Sequence, residues 1–113
     1  MLKNRCNDQS SLPPGTVTLT LSHNQLTSLP ESIGNLINLT KLELEYNQLK
    51  SLPDSISSLT NLTELCLYNN QIDTFPRGIE NLSELGLGRN RLTSLPESIS
   101  DFTNLERLKL GNN

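Results

Sequence analysis

Asparagine recurs at a nearly fixed interval along this chain. Asn24, Asn47, Asn70, Asn90 and Asn113 each close a Leu-x-Leu-x-x step, at spacings of 23, 23, 20 and 23 residues. The leucines keep the same register, as Leu19/Leu21, Leu42/Leu44, Leu65/Leu67, Leu85/Leu87 and Leu108/Leu110. A period of this length restricts the fold severely, because one such unit cannot bury its own apolar side and must stack on the next. Composition agrees: Leu fills 24 of 113 positions, against two Phe, two Tyr and no Trp. Any core is therefore one residue type stacked many times.

The rest of the unit follows in phase. After each of the first four asparagines comes an aliphatic residue (Leu26, Leu49, Ile72, Leu92), then an apolar-Pro pair (Leu29-Pro30, Leu52-Pro53, Phe75-Pro76, Leu95-Pro96). Ile33, Ile56, Ile79 and Ile99 come next, each with an apolar residue three later. Leu-x-Leu alternation puts two leucines on one side of a short strand and the residue between them on the other. Equivalent strands of successive coils then pair in parallel. Proline suits the start of a short helical turn, where its missing N–H costs little. Glu31, Asp54 and Glu97 follow directly and favour that end electrostatically; Arg77 breaks the pattern, and Gly34 and Gly78 are expected to loosen these turns. The third coil is three residues short, with Ile79-Leu82-Leu85 where the second has Ile56-Leu59-Leu62-Leu65. One leucine there must serve for two, which predicts a tighter loop and a local change in curvature.

The unit L-x-x-L-x-L-x-x-N-x-L-x-x-L-P-x-x-I-x-x-L-x-x resembles the leucine-rich-repeat family, in its 23-residue class with a Leu-Pro-x-x-Ile segment. The match covers residues 17–113. The resemblance implies an α/β solenoid, a right-handed superhelix with a parallel sheet of about five short strands on its concave face and brief 3-10 or helical turns on its convex face. It also implies that each Asn bonds backbone groups of its own and neighbouring coils in a continuous ladder. Residues 1–16 read as a polar segment and partial cap, with Pro13-Pro14-Gly15 before the first strand. Residues 17–113 read as four repeats plus the strand of a fifth, without a C-terminal cap. An uncovered last coil leaves apolar surface and a strand edge open, which suits either a longer repeat protein or self-association through that coil.

The outward strand positions form four rows on the concave wall: Thr18, Lys41, Glu64, Glu84, Arg107; then Thr20, Glu43, Cys66, Gly86, Lys109; then Ser22, Glu45, Tyr68, Gly88, Gly111; then His23, Tyr46, Asn69, Arg89, Asn112. Glu43, Glu45, Glu64 and Glu84 make an acidic centre flanked by Lys41, and Arg89, Arg107 and Lys109 make a basic edge. Tyr46 and Tyr68 stand beside the acidic centre, and Tyr is favoured at interfaces. Gly86 and Gly88 leave bare backbone for close approach. These ten charged and aromatic residues are the expected partner-binding set, and a basic or mixed-charge protein is the expected partner.

Other functions are poorly served. His23 is the single histidine and has no nucleophile and acid arranged with it, so no catalytic residue is assigned and the chain does not read as an enzyme. An open sheet holds a hard cation poorly even with Glu43, Glu45 and Glu64 close in sequence register, so neither metal nor cofactor is expected. A net charge of −3 argues against nucleic acid. The short apolar runs cannot span a bilayer, and no hydrophobic stretch follows the basic start to make a secretory signal. Cys6 and Cys66, far apart and without metal-ligand spacing, fit free thiols in the cytoplasm. The sequons at Asn38, Asn61 and Asn81 follow from the repeat itself. The leading reading is a protein-interaction scaffold for signalling; the alternative is the recognition segment of a larger kinase, GTPase or ubiquitin ligase.

Overall fold

The computed structural model describes residues 15, 17–73, 78–92 and 102–111. The proposed cap over residues 1–16, apart from Gly15, together with Phe75, Pro76, Arg77, Leu95, Pro96, Glu97, Ile99, Asn112 and Asn113, lies outside the described residues. Five short strands form one sheet in chain order: β1 (Thr18–Thr20), β2 (Lys41–Glu43), β3 (Glu64–Cys66), β4 (Glu84–Gly86) and β5 (Arg107–Lys109). All neighbours run parallel, with Leu19, Leu42, Leu65, Leu85 and Leu108 in register. The backbone ladder extends past the strands: the N–H groups of Leu44 and Tyr46 donate to Cys66 and Tyr68 oxygens at 2.9 and 3.0 Å.

The alternation of the sequence becomes an inside and an outside. Leu42, Leu44, Leu65, Leu67, Leu85 and Leu87 are all 0 % exposed, stacked between coils. At the outer coils Leu19, Leu21, Leu108 and Leu110 are only partly buried. Position in the stack therefore sets how much each leucine contributes, at ~25 cal/mol per Å² removed from water.

Opposite the sheet the chain turns through two 3-10 segments, η1 (Glu31–Asn35) and η2 (Asp54–Ser58). Pro30 and Pro53 stand one residue before these turns, in extended conformation, and not inside them. Their carbonyls accept the first bonds, from Ile33 and Ile56 N–H groups at 3.1 Å each. Glu31 and Asp54 then occupy the first turn, where acidic side chains complement exposed N–H groups. Gly34, expected from its residue type to loosen its turn, stands at a packing contact. It is buried, and a Cβ there would lie 2.6 Å from the Ser55 carbonyl oxygen of the next coil. Gly78 similarly meets Ser57, at 2.7 Å. These glycines are where successive turns touch.

The short third coil keeps its place by omitting one step. In the first coil Leu36 N–H bonds Ile33 oxygen and Leu39 N–H then bonds Leu36 oxygen; in the second, Leu59 and Leu62 repeat this. In the third, Leu82 N–H bonds Ile79 oxygen, and the next residue, Ser83, already donates to Thr63 oxygen to enter the sheet. Leu82, 0 % exposed, thus fills both roles.

Asn47, Asn70 and Asn90 are buried fasteners. Asn47 Oδ1 accepts the N–H groups of Asn24 and Leu26, while its Nδ2 donates to the carbonyls of Leu21 and Leu44. Asn70 bonds Leu49 N–H and the carbonyls of Leu44 and Leu67, and Asn90 bonds Ile72 N–H and the carbonyls of Leu67 and Leu87. Amide donors and acceptor are both used, as burial of a polar group requires. The expected ladder is present across these three coils.

Candidate protein-binding face

The outward side of the sheet carries the four rows read from the sequence, and the structure sorts them differently from simple alternation. Lys41, Glu43 and Glu45 are expected to face solvent, yet they are 4 %, 1 % and 1 % exposed. Charged side chains tolerate such burial only when paired or hydrogen-bonded. The Lys41 ammonium lies 3.6 Å from Glu43 and 3.4 Å from Glu64. Thr20 donates its hydroxyl to Glu43, and Ser22 donates to Glu45 at 2.8 Å. The acidic centre is held in place by the face itself.

Toward β5 the pattern changes. Glu84, 13 % exposed, meets Arg107 at 3.5 Å and Lys109 at 3.4 Å, whose side chains are 71 % and 27 % exposed. Two cations share one carboxylate, so this half of the face carries an excess of positive charge. Ion pairs this open contribute little to stability. They are available for outside contacts.

The fourth row departs from strand geometry in every described coil. His23, Tyr46, Asn69 and Arg89 have φ of 62°, 59°, 59° and 54°, in the left-handed region. Strict alternation would send the residue after an outward Glu45 or Tyr68 into the core. The left-handed turn instead lets the following asparagine enter the core and keeps this residue with the outer row. Left-handed backbone costs a bulky L-residue roughly 1 kcal/mol or more.

Three of those turned residues, His23, Tyr46 and Arg89, join with Tyr68 of the third row in one stack. His23 lies flat on Tyr46, centroids 4.5 Å apart at 10°. Tyr46 meets Tyr68 edge to face at 5.7 Å, and the Arg89 guanidinium sits 5.9 Å from the Tyr68 centroid. Both ring geometries are favourable, and a guanidinium over an aromatic face adds a cation–π attraction. His23 and Arg89, at the two ends, are exposed, and the tyrosines are half-buried.

Gly88 is not bare in the sense expected. A Cβ there would lie 3.0 Å from Tyr68 Cδ1, so the ring already fills the space. Gly111 has nothing within 4 Å of the equivalent position and does leave open backbone. Cys66 is a free thiol at 0 % exposure. Among the described residues no three His, Cys, Asp or Glu side chains gather as a metal-holding group. Glu43 and Glu64 converge on the Lys41 ammonium and Glu45 on Ser22. No helix of the described residues is long and apolar enough to cross a membrane.

All ten residues expected to form the partner-binding set lie on or beside this face: Lys41, Glu43 and Glu45 sealed within it, Glu64 and Glu84 partly open, Tyr46 and Tyr68 in the stack, and Arg89, Arg107 and Lys109 at the basic end. The stacking of His23 and the left-handed row were not read from sequence. The large residues one position before Asn24, Asn47 and Asn90 (His23, Tyr46 and Arg89) were the available signal.

Comparison with known proteins places this geometry. A family model described as a leucine-rich repeat region matches residues 18–110. Among solved structures, the leucine-rich repeat domain of APL1B superposes with a TM-score of 0.77 at 23 % identity, over 85 % of this chain and 30 % of that one. A leucine-rich-repeat protein of Leptospira interrogans superposes with a TM-score of 0.60 at 35 % identity, over 82 % of this chain and 30 % of its own. The chain thus corresponds to less than a third of either solved chain. No curated protein matches it in sequence.

Proposed function

Because this chain belongs to the leucine-rich-repeat family, we propose that it is a protein-interaction module that holds a partner protein against the outer, concave face of its sheet. The observation that carries this reading is the continuous stack of His23, Tyr46, Tyr68 and Arg89 across four coils. Tyr and Arg are the residue types that dominate binding energy at protein interfaces, since they offer rigid area with a polar tip. Neighbouring strands lie ~4.8 Å apart, so such a stack presents a ridge ~14 Å long to a docking surface. In this reading Lys41, Glu43 and Glu45 fix the shape of the face. Tyr46, Glu64, Tyr68, Glu84, Arg89, Arg107 and Lys109 meet the partner. The buried thiol of Cys66 suits a scaffold working in the reducing cytoplasm.

The test is affinity capture from a lysate with the wild-type chain beside a Tyr46→Ala, Tyr68→Ala double variant, with circular dichroism to confirm that both are folded. Captured proteins should be lost from the variant, since truncating a central aromatic anchor costs about 2 kcal/mol or more in affinity. A folded double variant that retains every captured protein would contradict the reading.

A further inference from the structure

We infer that the occupant of this face is an acidic, extended protein segment, with its carboxylates on Arg89, Arg107 and Lys109 and its apolar side chains over the His23–Tyr46–Tyr68 stack. This rests on the proposed interaction role and specifies the chemistry of the partner. The sequence alone pointed the other way, to a basic or mixed-charge protein facing the acidic centre. Burial reverses that. Glu43 and Glu45 are each 1 % exposed and already accept hydroxyl hydrogen bonds, so the one carboxylate of that side a partner's cation could reach is Glu64, 33 % exposed and already 3.4 Å from the Lys41 ammonium. The charges open to contact lie at the other end. Arg89 is exposed and no carboxylate among the described residues pairs with it. Arg107 is 71 % exposed, and it shares Glu84 with Lys109. Three cations against one carboxylate leave two positive charges beside the open backbone of Gly111.

A second observation singles out the same ridge. His23, Tyr46 and Arg89 occupy left-handed backbone, where glycine or asparagine fits with less strain. Large side chains held at such a cost point to a use outside the fold. From the coil of His23 to β5 is four strand steps, ~19 Å, which an extended segment of about six residues at ~3.3 Å each would span. Arginine suits such a partner because its planar donors engage a carboxylate in two parallel bonds.

The left-handed backbone also supplies a clean variant. Arg89→Gly removes the guanidinium at a position that glycine adopts without strain, so its melting temperature should stay near that of the wild type. Fluorescence anisotropy with a fluorescein-labelled peptide alternating glutamate and leucine is the direct measurement, beside the same peptide with lysine for glutamate and an oligouridylate of similar length. The glutamate peptide should bind the wild-type chain at least about tenfold more tightly than either control. Its affinity should fall as salt is raised from about 50 to about 300 mM. Arg89→Gly should weaken it about tenfold, and adding Arg107→Glu should abolish it. Equal binding of the lysine peptide, preferential binding of oligouridylate, absence of binding by the glutamate peptide, or undiminished binding by the folded double variant would each overturn the inference. A chain that loses its captured proteins with Tyr46→Ala and Tyr68→Ala, yet ignores the glutamate peptide, would retain the interaction role and refute only the acidic partner.

Discussion

Single residues hold this molecule together in two chemically distinct ways. Apolar adhesion comes from leucines at 0 % exposure, but register comes from asparagine. Asn70 joins Leu49 N–H, Leu44 oxygen and Leu67 oxygen, groups that belong to two successive coils. Removing its amide orphans buried backbone donors and acceptors, each costing ~1–3 kcal/mol. Asn70→Ala should therefore lower unfolding stability by about 3 kcal/mol in a urea titration. A change below about 1 kcal/mol would mean that water replaces the amide. Lys41 makes a comparable case on the outer face. It lies between Glu43 and Glu64 at 4 % exposure, and breaking a buried pair leaves a charge without its counter-ion. Lys41→Leu should destabilise by about 3 kcal/mol, read in the same titration, whereas Arg107→Leu, at an open pair, should move it by less than about 1 kcal/mol.

Among the elements, the turns opposite the sheet set how closely coils approach. Gly34 in η1 leaves no room for a methyl group against Ser55 of η2, and the obstacle is backbone. Gly34→Ala should cost about 1–3 kcal/mol from overpacking, seen as a lower thermal midpoint, although alanine is the better residue for an isolated helical turn. An unchanged midpoint would show that the turns separate easily. The strands were legible in advance because Leu-x-Leu spacing fixes which side faces inward, and the omitted step of the third coil was legible from its missing three residues. The glycine contacts were not. A glycine in a short turn reads as weakness until the neighbouring coil is seen beside it.

For the whole molecule, sequence periodicity conveyed the stack and the sheet order, since each depends only on equivalent positions lying side by side, and the family resemblance implied the asparagine ladder. It conveyed the membership of the outer face as well. What it did not convey was the state of the charges there. Alternation marks Glu43 and Glu45 as pointing away from the leucine core, but not whether neighbouring hydroxyls and Lys41 close around them. Nor does any glycine mark the left-handed row, where His23, Tyr46 and Arg89 stand instead. The face therefore has two parts, a sealed acidic half and an open half of stacked rings and arginines. The central claim is that a partner sits on this second part. Amide chemical-shift mapping of the labelled chain, titrated with a protein that it captures, tests this directly. The largest shifts should fall at His23, Tyr46, Tyr68, Arg89 and Arg107. Shifts concentrated instead in Glu31–Asn35 and Asp54–Ser58, on the opposite side, would contradict it.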